Sequence, residues 1–150
     1  MSNNFDKTRA ALVTAFRTGW PLATDTTTTP TGLPLAKIEM PNKKNDRGVS
    51  NPFGRLTVNF SGRENAAIGG LKIRLRGFLY LQIFVPEGTG TKTLTDSADH
   101  FAAIMDNKNI SFTDNSGNVI CSAVDSVATG ARDGYEQSTL ALPFYSDANT

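Results

Sequence analysis

With 150 residues, of which 39% are hydrophobic and 19% charged, the chain is sized for one domain with a real core, and its composition excludes wholesale disorder. Fifteen basic against fourteen acidic residues leave a formal net charge of +1, so no long-range field favours nucleic acid or an anionic membrane, and binding to either would need a local patch. The single cysteine, Cys121, excludes an internal disulfide and a cysteine-rich metal site. Met1-Ser2-Asn3-Asn4 carries no basic-then-apolar leader pattern and no apolar run reaches the length of a membrane span, so synthesis in the cytosol and no membrane partner are expected.

Asn3 or Asn4 is placed to cap a first helix, with Asp6 in its first turn and an apolar stripe of Phe5, Leu12, Val13 and Phe16 before Gly19 stops it. Arg9 falls within that stripe, where its stem packs and its head reaches water, or where it meets a neighbouring subunit. Trp20-Pro21 leaves the helix, and the segment from Thr24 to Pro30 reads as an extended polar edge or loop. Leu33 to Met40 holds at most a short edge strand, because Pro34 and Pro41 each remove a ladder donor.

The stretch from Pro41 to Pro52 has no hydrophobic period, and Lys43, Lys44 and Arg47 give it local positive charge. Loops of this length in small domains are usually functional or disordered. Arg55 to Phe60 reads as a strand with Leu56, Val58 and Phe60 on one face, and Ser61 to Gly70 is expected to turn the chain.

From Lys72 to Val85 the alternation is strict. One face reads Ile73, Leu75, Gly77, Leu79, Leu81, Ile83, Val85, and the other reads Lys72, Arg74, Arg76, Phe78, Tyr80, Gln82, Phe84. Burying the six aliphatic side chains contributes roughly 9–18 kcal/mol before conformational entropy is subtracted. Such a strand would reach about 46 Å, so it is expected either to bend at Gly77 or to project beyond its own sheet toward a partner. Pro86 ends it, Glu87-Gly88-Thr89-Gly90-Thr91 turns the chain, and Leu94, Ala98, Phe101, Ile104 and Met105 fall at helical spacing.

After this second helix, Ile110 to Thr113 and Val119 to Val124 read as a hairpin about Asp114 to Asn118. Gly130 to Gly134 is expected to turn, Tyr135 to Leu142 to form a last strand ending Pro143-Phe144-Tyr145, and the polar end to be loose. The expected fold is a single α+β domain: a mostly antiparallel or mixed sheet packed with two helices and carrying one long loop.

Catalysis needs converging titratable groups, and few are offered. His100, the one histidine, lies a helical turn from Asp96, which favours a surface hydrogen bond over general-base work and makes a histidine metal site improbable. Gly88 to Thr93 opens a helix after a strand, but it lacks the glycine spacing of a Walker loop; a helix start of this kind can still meet an acidic group on a partner. Arg76 to Ile83 resembles the octapeptide of RNA-recognition motifs, with Phe78 and Tyr80 available for base stacking, yet Leu79 and Ile83 replace the small and aromatic residues that motif needs. No catalytic, cofactor or metal residue is assigned, and the chain is expected not to be an enzyme.

Several segments in order resemble the tail terminator family of long-tailed bacteriophages: Arg9-Ala10-Ala11-Leu12 running to Phe16 and Trp20; Arg76-Gly77-Phe78-Leu79 leading to Gln82-Ile83-Phe84-Val85-Pro86 and Gly88-Thr89-Gly90-Thr91; Asp96 to Ile104; and Gly134-Tyr135-Glu136-Gln137 ending in Leu142-Pro143-Phe144. Together they span about two thirds of the chain, and Pro41 to Pro52 departs from the pattern. The resemblance implies a virion assembly protein in which six copies form a ring on the head-proximal end of the tail tube, stop its polymerisation and meet the head connector, with genomic DNA only passing through the lumen. A head-completion or connector-stopper protein is the neighbouring alternative, and single-strand binding by the Phe78 and Tyr80 face a more distant one. The expected contact residues, to other copies, the tube protein or the connector, are Arg9, Lys43, Lys44, Arg47, Lys72, Arg74, Arg76, Glu87 and Lys92. The Pro41 to Pro52 loop would meet the adjoining ring, and replacing Arg74 and Arg76 by alanine would impair assembly while leaving the monomer folded.

Overall fold

The strand expected from the alternation after Lys72 is the centre of the molecule. A computed structural model describes residues 4–20, 33, 35, 38–41, 52–65, 72–86, 88, 92–132 and 134–149. In chain order these form α1 (Asn4–Gly19), β1 (Ile38–Glu39), β2 (Phe53–Asn65), β3 (Lys72–Pro86), α2 (Lys92–Met105), β4 (Asn109–Ser111), β5 (Gly117–Cys121), β6 (Asp125–Arg132) and β7 (Tyr135–Asn149). One seven-stranded sheet runs β1-β2-β3-β7-β5-β4, with β6 beside β7. The β1–β2 pair is parallel and every other pair antiparallel, so the fold is the expected α+β class with a mixed sheet.

Ile73, Leu75, Leu79, Leu81, Ile83 and Val85 are all buried, and both helices pack on their side of the sheet, α1 through Leu12 and Phe16, α2 through Leu94, Phe101 and Met105. Phe16 and Trp20 stack at 4.9 Å, Phe101 meets Phe16 edge-on, and Trp20 Nε1 donates to the Leu33 carbonyl at 2.7 Å. Phe5, expected in the stripe, is 39% exposed and lies edge-on to Phe60. Its place in the buried face goes to Ala11 and to Thr8, whose hydroxyl is bonded to Ser146 Oγ at 2.9 Å.

β3 does not project beyond its sheet. It pairs with β2 from Ile73 to Phe84 and with β7 from Lys72 to Pro86, so its length is matched on both sides. Three expectations fail for one reason, that a long partner strand satisfies backbone groups which local sequence leaves undecided. Ser61 to Asn65 continues β2 rather than turning, after a bulge between Phe60 and Gly62 opposite Gly77. The polar end is strand rather than loose, with Ser146 and Ala148 buried. Asp125 to Arg132 is the strand β6, joined to β7 by a two-residue connection in which Gly134 takes φ +83°.

Among the described residues of Leu33 to Met40, Ile38 and Glu39 form strand, at the sheet edge. Gly77 is required by close approach, since a Cβ there would overlap the Asn59 carbonyl oxygen. Pro143 sits in a central strand, yet it lies where β5 ends at Cys121 and β6 begins at Asp125, and its carbonyl accepts from Ser122 N–H at 2.9 Å. The N–H that proline lacks would have pointed at that gap. Asn107, at φ 55°, follows α2 as its left-handed cap.

Candidate functional site

The helices cover one side of the sheet, and the alternation of β2, β3 and β7 places a second, ordered set of side chains on the other. At one end Arg74 donates to both carboxylate oxygens of Asp147, at 2.7 and 2.8 Å, and its guanidinium lies 4.4 Å from the centre of the Tyr145 ring. These are cross-strand positions, because Arg74 is directly opposite Asp147 in the β3–β7 register. Arg76 donates twice to Glu64 Oε1 on β2, at 2.9 and 2.7 Å. The hydrogen bond from Arg74 holds the Asp147 carboxyl below its ordinary value against the opposing effect of partial burial, and Asp147 in turn raises Arg74.

At the other end the charges give way to rings. Phe53 stacks on Phe84 at 4.6 Å, and Tyr135 meets them edge-on at 5.6 and 6.4 Å. Phe78 and Tyr80, between the two ends, lie nearly parallel at 5.7 Å. All five rings are half-buried. Arg55 donates to the buried Glu39 carboxylate on β1 at 3.2 Å. Arg55, Arg74 and Arg76 of this face are thus each committed to a carboxylate of the same chain, which offsets their charge.

Of the residues expected to make contacts, Lys72, Arg74 and Arg76 are brought together here, with Lys72 exposed. Arg9 stands apart on α1, half-buried and paired with Asp6 at 3.1 Å, and Lys92, at the start of α2, pairs with Asp96 at 3.2 Å. Lys43, Lys44, Arg47 and Glu87, and the Pro41 to Pro52 loop apart from its end residues, lie outside the described residues. The sequence reading missed the partners Glu64, Asp147, Tyr145 and Tyr135. For Tyr135, Tyr145 and Asp147 a signal is present in part, since Tyr135, Gln137, Thr139, Tyr145 and Asp147 share one alternation, interrupted by Ala141 and Pro143.

His100 Nε2 lies 2.9 Å from the Trp20 carbonyl, not on Asp96 as expected, and its ring packs edge-on to Trp20 at 4.8 Å. Cys121 is buried in β5, and burial pushes its thiol up to about 11, away from the reactive thiolate. Among the described residues no group of three or more His, Cys, Asp or Glu is placed to hold a metal ion. A cavity of about 500 Å³ is lined by Lys72, Ser111, Ser116, Asn118 and Asp147, but Asp147 is already bound to Arg74. No described helix is long and apolar enough to cross a membrane.

No family model and no curated protein matches the chain. A solved structure superposes on it with a TM-score of 0.64 at 16% sequence identity, covering 99% of this chain and 98% of its own. At that identity the likeness is one of fold, and it extends over the whole domain.

Proposed function

We propose that this chain is a tail terminator of a long-tailed bacteriophage, a non-enzymatic virion protein whose copies form a ring, most simply a hexamer, at the head-proximal end of the tail tube. The ring ends tube polymerisation and offers its other surface to the head connector, and genomic DNA passes through its lumen without being read. Assembly takes place in the host cytoplasm.

One observation carries the reading. The segments that resemble the family are α1, β3, α2 and β7, and in three dimensions they form a single packed unit: β3 and β7 pair along their whole length while α1 and α2 close over them. Chance likenesses would be scattered over the surface, whereas these make up the core. The carboxylates that offset Arg55, Arg74 and Arg76 on the helix-free face also suit a wall past which a polyanion slides, since they weaken the hold those cations would otherwise have on it.

Adding the purified protein to polymerising tube subunits tests the proposal. Shortened tubes with a ring on one end are expected. Tubes that grow unchanged, with the protein attaching instead to portal assemblies, would transfer the assignment to the connector-stopper class.

A further inference from the structure

The two outer edges of the sheet are each half covered, and on opposite corners. On the β2 edge, β1 pairs only at Gly54 and Arg55, which leaves Val58 to Asn65 without a strand partner among the described residues. On the other edge, β4 covers β5, while β6 has β7 on one side and no described strand on the other. Eight-residue edges of this kind are templates for another chain.

We infer that these half-edges pair with each other between neighbouring copies: β6 of one subunit adds antiparallel to the free half of β2 in the next, and the seam is the ring contact of the function proposed above. Strand direction fits. β2, β3, β7 and β6 alternate, four strands in all, so a head-to-tail neighbour meets its edge antiparallel and the pattern continues without a break. The contact is heterologous, as a ring requires.

The offset also fits. Through the ladder, β6 lies level with Tyr80 to Pro86 of β3, and the free half of β2 with Ile73 to Leu79. The two centres are roughly six or seven residues apart, about 20–23 Å at ~3.3 Å per residue, across four strands spanning about 19 Å. Neighbours staggered by that amount have strands tilted about 45–50° from the ring axis, close to the ~35–45° of closed barrels.

Handedness decides which face points inward. In β5 the helix-side residue Cys121 donates to the Lys108 carbonyl at 2.8 Å, toward β4, and Ser122 donates toward β7. For L-residues this puts β6 to the right of β7 and β2 to the far left when the sheet is viewed from the helices with β6 running upward. Joining the free corners shifts the right-hand neighbour upward, which tilts the strands to the right. That is the right-handed sense favoured by strand twist if the helices lie outside. Arg74, Arg76 and the Phe78 and Tyr80 rings then line the channel.

The same hydrogen bonds show which backbone groups point outward. Ser122 N–H donates to the carbonyl of Pro143, so alternation through the register directs the backbone N–H groups of Arg63 in β2 and Thr129 in β6 away from their paired strands. Proline at either position removes an edge donor that no described strand uses. Sedimentation velocity across a wide concentration range should give rings for the native chain. Arg63→Pro and Thr129→Pro should each remain monomeric with native circular dichroism, and an equimolar mixture should form one-to-one dimers, because one intact seam remains. Rings formed by both folded proline variants, or a native chain that stays monomeric throughout, overturn the edge contact. The terminator reading is judged separately by tube capping, which a ring closed through other surfaces would still perform. Dimers formed by Thr129→Pro alone would reveal β2 pairing with β2, and would likewise overturn the proposal.

Discussion

The two faces of β3 share a backbone and a register yet are stabilised in different ways. Toward the helices, Leu75, Leu79, Leu81, Ile83 and Val85 are at most 1% exposed, and the contribution is area removed from water, which is large and non-directional. On the other face the ion pairs Arg74–Asp147 and Arg76–Glu64 and the rings Phe53, Phe84 and Tyr135 are partly solvated, so each contributes modestly. What they supply is position. A slip of one residue would move every leucine to the wrong side, and it would also separate Arg74 from Asp147. One face gives the sheet its stability and the other fixes its alignment.

The sharpest way to break this comparison is to truncate neighbours on opposite faces. Leu79→Ala should destabilise the monomer by about 2–5 kcal/mol, measured by urea denaturation, whereas Phe78→Ala, one residue away, should cost less than half as much. Equal losses would mean that the helix-free face is covered as fully as the core. Gly77→Ala comes next, at about 1–3 kcal/mol, because the new methyl meets the Asn59 backbone next to the bulge and the bulge has to move to accommodate it. Trp20→Phe keeps the ring stack on Phe16 but leaves the Leu33 carbonyl without its indole donor, a loss of about 1–2 kcal/mol.

The face that buries area was legible in the sequence and the face that fixes alignment only in part. Strict alternation in β3 and helical spacing in α1 and α2 follow from local patterns. β6 was missed because Asp125 to Arg132 mixes polar and small residues without a period, and its strand state comes from pairing with β7. Ser61 to Asn65 and Ser146 to Asn149 also lack a period of their own, and their strand state comes from pairing with β3, close in sequence for the first and far along the chain for the second. The alternation places the cations Arg74 and Arg76 on one face, but their carboxylates are 73 and 12 residues away, and no local rule connects them. The expectation that β3 either bends at Gly77 or projects considers its length without that of β2 and β7.

An effect no larger than that of Trp20→Phe, and the most specific to the alignment face, belongs to Asp147. Its folded-state carboxyl titrates below its unfolded value because Arg74 donates to both oxygens. Between those two values the unfolded chain binds the extra proton, so the contribution is fully present above about pH 4, near the ordinary aspartate value, and is lost as pH falls through the depressed folded value. Asp147→Asn keeps the shape and removes the charge, and should cost about 1–2 kcal/mol at neutral pH, reduced from a buried pair by solvent screening. The diagnostic is how stability changes with pH rather than the loss itself. Between neutral pH and the low end of the carboxylate range the native chain should lose more stability than the variant, so the two curves converge under acid, as urea midpoints measured across that range would show. Parallel curves would mean that Arg74 is held by Tyr145 and packing alone, and that charge does not set the β3–β7 register.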